Sequence, residues 1–115
     1  MSNKNLAAEA SISFKGFKEQ VLEDYRLLSL SRECSILGRR EVMTGKAKFG
    51  IFGDGKELPQ LVLSKFFKDG DFRSGYYRDQ TILMEQGHLT PQHLFSALYA
   101  HPDKDIEPMS AGRQM

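Results

Sequence analysis

The sequence has 115 residues, of which 40% are hydrophobic and 27% charged, and its formal net charge is +1. This is typical of one globular domain that can bury about two thirds of its unfolded surface. The near-neutral charge argues against a nucleic-acid-binding surface. No apolar run has the length of a membrane span. Cys34 is the single cysteine, which excludes an intrachain disulfide. We therefore expect a cytoplasmic protein that binds neither nucleic acid nor membrane.

The first predicted helix is long and follows a flexible tail at residues 1–16. It covers about residues 17–44, and Gly45 is suited to end it in the left-handed conformation. Two neighbouring apolar rows follow this helix at intervals of three and four residues: Phe17, Val21, Tyr25 and Leu28, and then Leu27, Leu30, Cys34 and Leu37. A face of that width predicts contacts with more than one neighbouring helix. Cys34 is interpreted as a small core residue.

The second predicted helix covers residues 57–68. Pro59 suits its first turn, and Gly70 follows its end. Apolar residues occur on most of its sides, which predicts that it is deeply buried.

The remaining chain is predicted to hold two more helices and little strand. After an extended connection at residues 71–78, Asp79 can cap a third helix over residues 80–86. Thr90, followed by a proline, begins a fourth helix, and residues 101–115 have the composition of a surface loop. The expected fold class of this stretch is mostly α.

The segment from Phe72 to Asp79 is rich in groups that bind anions. It holds three aromatic residues and two arginines, and it ends in Tyr77-Arg78-Asp79. Arginine offers a planar set of donors that matches phosphate or carboxylate, and tyrosine adds a hydroxyl donor on a rigid ring. The composition also fits a structural turn whose arginines pair with nearby acids. Local composition alone leaves both interpretations open.

Three other features were candidates for chemistry. The Gly-Asp-Gly turn at 53–55 suits an anion or Mg²⁺, but it matches neither the Walker nor the dinucleotide pattern, which favours a plain tight turn. The three histidines match no metal-ligand spacing. Glu57 is interpreted as a capping carboxylate at the start of the second helix, and the alternative is a buried acid near a cofactor with a raised pKa. No catalytic residue and no metal ligand is assigned.

Four segments, taken in order, resemble one family: Gly-Arg-Arg-Glu at 38–41, Gly-Asp-Gly-Lys-Glu at 53–57, residues 70–79, and Ser-Ala-Gly-Arg-Gln-Met at 110–115. The sequence is similar to the N-terminal part of the alpha subunit of thiamine-diphosphate-dependent 2-oxo acid dehydrogenases. These are the decarboxylating components of the pyruvate and branched-chain 2-oxo acid dehydrogenase complexes. The similarity covers residues 17–115, and its last segment is closer to the branched-chain type.

The resemblance implies that residues 17–115 are the helical front of an α/β thiamine-diphosphate-binding domain, truncated at its C-terminal end. It implies that Tyr77 and Arg78 contact the diphosphate of thiamine diphosphate, which is bound with Mg²⁺. The intact enzyme would decarboxylate a 2-oxo acid oxidatively and transfer the acyl group to lipoyl, whereas this stretch alone would be inactive. The implied partners are a beta subunit or fused beta region and the lipoyl acyltransferase component. A homo-oligomer is also expected.

Two departures from the family pattern limit the resemblance. Asp79-Gln80 stands where many members of the family have His-Gly, so this sequence differs from them at a position of local substrate contacts. The metal signature of the family, Gly-Asp-Gly followed by a later Asn, is absent because Asn3 and Asn5 are the only asparagines and both precede the turn. The alternative function is a non-enzymatic helical interaction module, which the wide apolar face of the first helix favours.

Overall fold

The computed structural model describes residues 13–113. These residues form four helices, which are, in chain order, α1 (Phe14–Met43), α2 (Glu57–Ser64), α3 (Gln80–Glu85) and α4 (Pro91–Leu98). Turns and irregular segments connect them, and residues 13–113 include no strand. The expectation of a mostly helical chain is confirmed for this part of the sequence. None of the helices in this range combines the length and hydrophobicity needed to cross a membrane.

Helix α1 starts three residues earlier than predicted. The Ser13 hydroxyl accepts a hydrogen bond from the Gly16 amide at 3.1 Å, which satisfies one of the free N–H groups of the first turn. Residues 14–16 are therefore helical, and residues 1–12 of the predicted tail lie outside the described residues. At the other end, Gly45 has a φ of +76°, as predicted for a left-handed helix stop.

Helix α2 is shorter and more exposed than predicted. It ends at Ser64, and only Glu57, Leu61 and Ser64 are buried along it. Leu58 is 60% exposed and Leu63 is 54% exposed, so the prediction of deep burial was wrong. The physical reason is that α2 contacts only α1 and α3, which cover one of its sides.

The helices pack around α1 and α3. Helix α1 contacts the other three helices, which confirms the expectation of more than one neighbour, and α3 lies against both α1 and α2. Helix α2 runs antiparallel to α1, because Glu57 at its start pairs with Arg32 and Lys65 after its end pairs with Asp24. The first three turns of α1 extend beyond these contacts.

The apolar core is small. Cys34, Met84 and Leu89 form a buried cluster, and four partly buried residues pack against it: Leu27, Leu83, Leu94 and Phe95. The interpretation of Cys34 as a core residue is confirmed. Its burial raises the pKa of the thiol, as expected for a structural rather than a reactive cysteine.

A buried polar network joins α1 to α3. The Gln80 side-chain nitrogen donates to the Ser31 carbonyl at 2.9 Å and to the Ser35 hydroxyl at 2.9 Å, and the Ser31 hydroxyl lies 3.1 Å away. The Thr81 hydroxyl is 2.7 Å from the Ser31 hydroxyl. All four residues are buried, so these hydrogen bonds replace the water that the groups lose on folding.

The N-terminus of α3 is capped from another helix. Asp79 makes no capping hydrogen bond, so that prediction was wrong. Its carboxylate instead accepts from the Tyr76 amide at 2.8 Å and from Arg73 at 2.9 Å. The Gln60 side-chain oxygen of α2 accepts from the Thr81 amide at 3.1 Å and from the Ile82 amide at 3.2 Å.

Helix α4 begins after Thr90 as predicted, and the Thr90 hydroxyl caps it by accepting from the His93 amide at 3.2 Å. Residues 99–113, which follow α4, contain no regular element, as predicted for a loop, but they include one fully buried acid, Glu107. The Glu107 carboxylate accepts from the Met109, Ser110 and Gly112 amides at 2.7, 2.9 and 3.1 Å. Burial by itself raises the pKa of Glu107, but the Ser110 hydroxyl and these amides outweigh it and lower the pKa. The loop is thus folded around a carboxylate.

We predict that Gln80→Met lowers the free energy of unfolding by about 1–2 kcal/mol, because the Ser31 carbonyl and the Ser35 hydroxyl lose their buried hydrogen bonds from Gln80 and keep the bond between them, at 3.2 Å. Urea unfolding followed by circular dichroism measures this. Gln86→Met, on the residue that follows the same helix, is the matched control and should change the stability by less than about 0.5 kcal/mol. Equal effects of the two substitutions would contradict a structural role for the network.

Candidate functional site

Tyr77 and Arg78 lie on the surface directly before α3. Tyr77 is 46% exposed, Tyr76 is 60% exposed, and Arg78 is also exposed. The segment from residue 71 to 79 has no regular structure, as predicted for the connection. The Asp79 amide donates to the Tyr76 carbonyl at 3.0 Å, so the tyrosines and the arginine are presented by a turn.

The backbone at Arg78 is held by two neighbours. Its carbonyl accepts a hydrogen bond from the Gln60 side chain at 3.0 Å. Gly53 packs against the same carbonyl so closely that a Cβ atom at position 53 would lie 2.6 Å from its oxygen. The glycine turn at 53–55 is therefore a structural turn, as the sequence analysis favoured over an anion or Mg²⁺ site. It also supports the backbone of Arg78.

The side chains of Tyr76, Tyr77 and Arg78 form a stack. The two tyrosine ring centroids are 4.1 Å apart, and the Tyr76 hydroxyl donates to the Tyr77 hydroxyl at 2.8 Å. The guanidinium carbon of Arg78 lies 5.4 Å from the centroid of the Tyr77 ring, which is within cation–π range. The hydrogen bond from Tyr76, with a smaller contribution from the Arg78 charge, lowers the pKa of Tyr77. The proton of the Tyr77 hydroxyl remains available for another acceptor.

Arg78 differs from three neighbouring arginines in its partners. Arg32 pairs with Glu57, Arg39 pairs with Asp54, and Arg73 pairs with Asp79. Within residues 13–113, no carboxylate lies within salt-bridge distance of Arg78. The structural interpretation of the segment therefore describes Arg73, whereas the Arg78 guanidinium has no acidic partner among the described residues.

The Glu57 carboxylate is buried and held by hydrogen bonds from α1 and from the glycine turn. Its side chain is 6% exposed, and its two oxygens accept from Arg32 Nε at 2.6 Å and Nη2 at 2.8 Å. The Gly55 amide donates to the same carboxylate at 2.9 Å. The hydrogen bonds from Arg32 lower the pKa of Glu57. The alternative of a buried acid with a raised pKa was therefore wrong, and Glu57 instead connects α1, the glycine turn and the start of α2.

The cavity beside Tyr77 is small. Its volume is about 90 Å³, and its walls include Gly50, Phe52, Gln80 and Leu98. Binding pockets for small organic molecules usually enclose roughly 300–1,000 Å³. A ligand held by Tyr77 and Arg78 would therefore lie across the surface. Within residues 13–113, no group of three or more His, Cys, Asp or Glu side chains is placed to hold a metal ion.

Two residues that shape this site were not singled out from the sequence. Tyr76 was seen only as one of the aromatic residues, although the adjacent tyrosine pair was a visible signal. Gln60 carried no recognisable sequence signal, because its role depends on the way α2 packs beside α3.

No protein-family model, no curated protein and no solved structure matches the chain. The sequence resemblance and this geometry are therefore the observations that bear on function.

We predict that Glu57→Gln lowers the free energy of unfolding by about 1–2 kcal/mol at neutral pH, a modest value because Arg32 is 47% exposed. The folded-state pKa of Glu57 is below its ordinary value of 4.5, so the carboxylate stabilises the fold above that pH. The difference from the original chain should shrink as the pH falls below 4.5. Urea unfolding at several pH values measures it.

Glu33→Gln is the control. Glu33 and Glu57 line one surface groove between α1 and α2, and Glu33 makes no side-chain hydrogen bond within residues 13–113. It should leave the stability within about 0.5 kcal/mol of the original. A difference between the Glu57 variant and the original chain that stays constant down to low pH would contradict the assigned ion pair.

Proposed function

We propose that this chain is the N-terminal part of an alpha-type subunit of a thiamine-diphosphate-dependent 2-oxo acid dehydrogenase, with a branched-chain 2-oxo acid as the favoured substrate. In this proposal Tyr77 and Arg78 bind the diphosphate of the cofactor. The sequence resemblance supplies the family. The exposed Arg78 guanidinium, which has no acidic partner within residues 13–113, is the structural observation that carries the site.

The residues of the segment fit an anionic group. A guanidinium presents five donors in one plane, which suits two phosphate oxygens, and the Tyr77 hydroxyl adds a donor beside it. The Gln60 hydrogen bond and the contact with Gly53 hold the backbone from which Arg78 projects. Arg73 fits less well, because Asp79 already takes up its charge at 2.9 Å.

In this proposal the role of the chain is to bind and orient thiamine diphosphate. When bound, thiamine diphosphate itself supplies the electron sink for the loss of CO₂ from the 2-oxo acid. Tyr77 and Arg78 fix one end of the cofactor and so determine where its reactive end lies. The proposal places the Mg²⁺ ligands, the catalytic groups and the α/β sheet of the fold in other parts of a longer cytoplasmic enzyme. Its partners are a beta subunit or fused beta region and the lipoyl acyltransferase component.

A second candidate function is a helical interaction module without catalytic activity. Exposed apolar side chains on α1 favour it, with Phe14 at 83% exposure and Tyr25 at 68%. The gene sequence after the codon for Met115 distinguishes the two candidate functions. We predict that its reading frame continues past the codon for Met115 into a Gly-Asp-Gly motif followed by a later Asn. A stop codon directly after Met115 would contradict the enzyme proposal and favour the module.

We predict that the chain itself binds inorganic pyrophosphate weakly, with a dissociation constant in the millimolar range, through Arg78. Arg78→Ala should raise that constant by about tenfold or more, because a charge-assisted contact is lost. Titration followed by NMR shifts of the Tyr77 and Arg78 amides measures the binding. Arg40→Ala is the control, since Arg40 is also exposed and lies on α1, an element that contains neither Tyr77 nor Arg78.

Equal losses in the Arg78 and Arg40 variants would show a non-specific charge effect and would contradict the site. The chain itself should not bind thiamine diphosphate with micromolar affinity, because most of the proposed cofactor site lies outside it. Calorimetry that found micromolar binding would contradict the proposal that this chain carries only part of the site.

A further inference from the structure

Apolar side chains form one exposed row on the N-terminal half of α1. Phe14, Phe17, Val21 and Tyr25 are 83%, 54%, 47% and 68% exposed. They follow one another at intervals of three and four residues, so they lie on the same side of the helix, and Leu28 continues the row where α2 begins to cover α1. These five residues are called the α1 row below.

A groove lies at the covered end of the α1 row. Tyr25 and Leu28 form one wall, Leu58 of α2 forms another, and its volume is about 310 Å³. Val62, which is 48% exposed, follows Leu58 by one turn on the same side of α2. The row and the groove therefore form one continuous apolar face across two helices.

The area of this face suits a protein–protein contact. At about 200 Å² for a whole ring, the exposed parts of Phe14, Phe17 and Tyr25 alone amount to roughly 400 Å². Patches of this size on a single chain commonly mark interaction sites. Two such faces, extended by Val21, Leu58 and Val62, approach the roughly 1,200–2,000 Å² of total surface that stable complexes bury.

The charges beside the row permit an identical partner. Along residues 15–26, three basic residues are balanced by three acidic ones: Lys15, Lys18 and Arg26 against Glu19, Glu23 and Asp24. A face of one sign would repel its own copy and attract a partner of opposite charge. A balanced face does neither, which leaves apolar burial as the driving force.

We propose that the α1 row is the docking face for a second copy of this chain, with the two α1 helices antiparallel about a two-fold axis at Val21. The row is symmetric about that residue, because Phe17 and Tyr25 are each four positions from it and Phe14 and Leu28 are each seven. Phe17 of one copy then packs on Tyr25 of the other. Phe14, the most exposed of the row, enters the groove of the other copy, as a self-complementary two-fold contact requires.

This proposal is independent of cofactor binding, since its residues are separate from Tyr77 and Arg78 and its readout is molecular mass. Sedimentation equilibrium of the chain from about 1 to 100 µM should show a monomer–dimer equilibrium. Val21→Lys should weaken the dimer about a hundredfold, because it places two charges at the two-fold axis. Circular dichroism should show unchanged helix content, since position 21 is half exposed in the monomer.

Leu30→Lys is the matched control. Leu30 is 44% exposed on the same helix, and it follows Val21 by nine residues, about two and a half turns, so it lies on the opposite side. This variant should still form the dimer. A monomeric original chain at 100 µM, large irregular aggregates, or equal effects of the two lysine substitutions would overturn the proposal.

A charge exchange tests the antiparallel register. Phe17→Lys and Tyr25→Glu should each weaken the dimer, whereas the double variant should recover at least about tenfold of the lost affinity because position 17 faces position 25 of the other copy. Within one helix these positions are eight residues apart and do not touch. A double variant that is no tighter than either single variant would overturn the proposed register.

Discussion

The buried amide of Gln80 is the contact on which the arrangement of this chain depends. The apolar core of Cys34, Met84 and Leu89 is small, and such contacts have little directional preference. The hydrogen bonds from Gln80 to Ser31 and Ser35 have direction, so they fix the position of α3 along α1. Because Arg78 lies two residues before Gln80, the same contacts also determine where the candidate anion site lies.

Local features of the sequence were sufficient to predict the helices and some of the positions where they begin or end. The stop at Gly45 and the start of α4 at Thr90-Pro91 depend on residues within a few positions, and both predictions were confirmed. The rows on α1 correctly indicated several neighbours, but the row that includes Val21 and Tyr25 was predicted to pack and is instead exposed. Hydrophobic periodicity shows which residues share a side of a helix, and it does not show what covers that side.

The features that the sequence did not reveal depend on partners distant in the chain. Gln60 takes the capping role predicted for Asp79, because α2 packs beside the start of α3. Glu57 has a lowered pKa because Arg32, twenty-five residues earlier, reaches it. For the candidate site, the sequence indicated Tyr77 and Arg78 as a pair, whereas the difference between Arg73 and Arg78 became visible only once the position of Asp79 was known.

The held backbone of Arg78 has a consequence for the thermodynamics of binding. The contacts of its carbonyl with Gln60 and Gly53 are formed within the chain itself and involve no group of a ligand. A ligand that engages the guanidinium therefore restricts the rotamers of one side chain, which costs up to about 2 kcal/mol in entropy, and does not have to order the turn as well. Ordering of a backbone costs about 1–2 kcal/mol for every residue, so the turn removes a large part of the entropic penalty before binding begins.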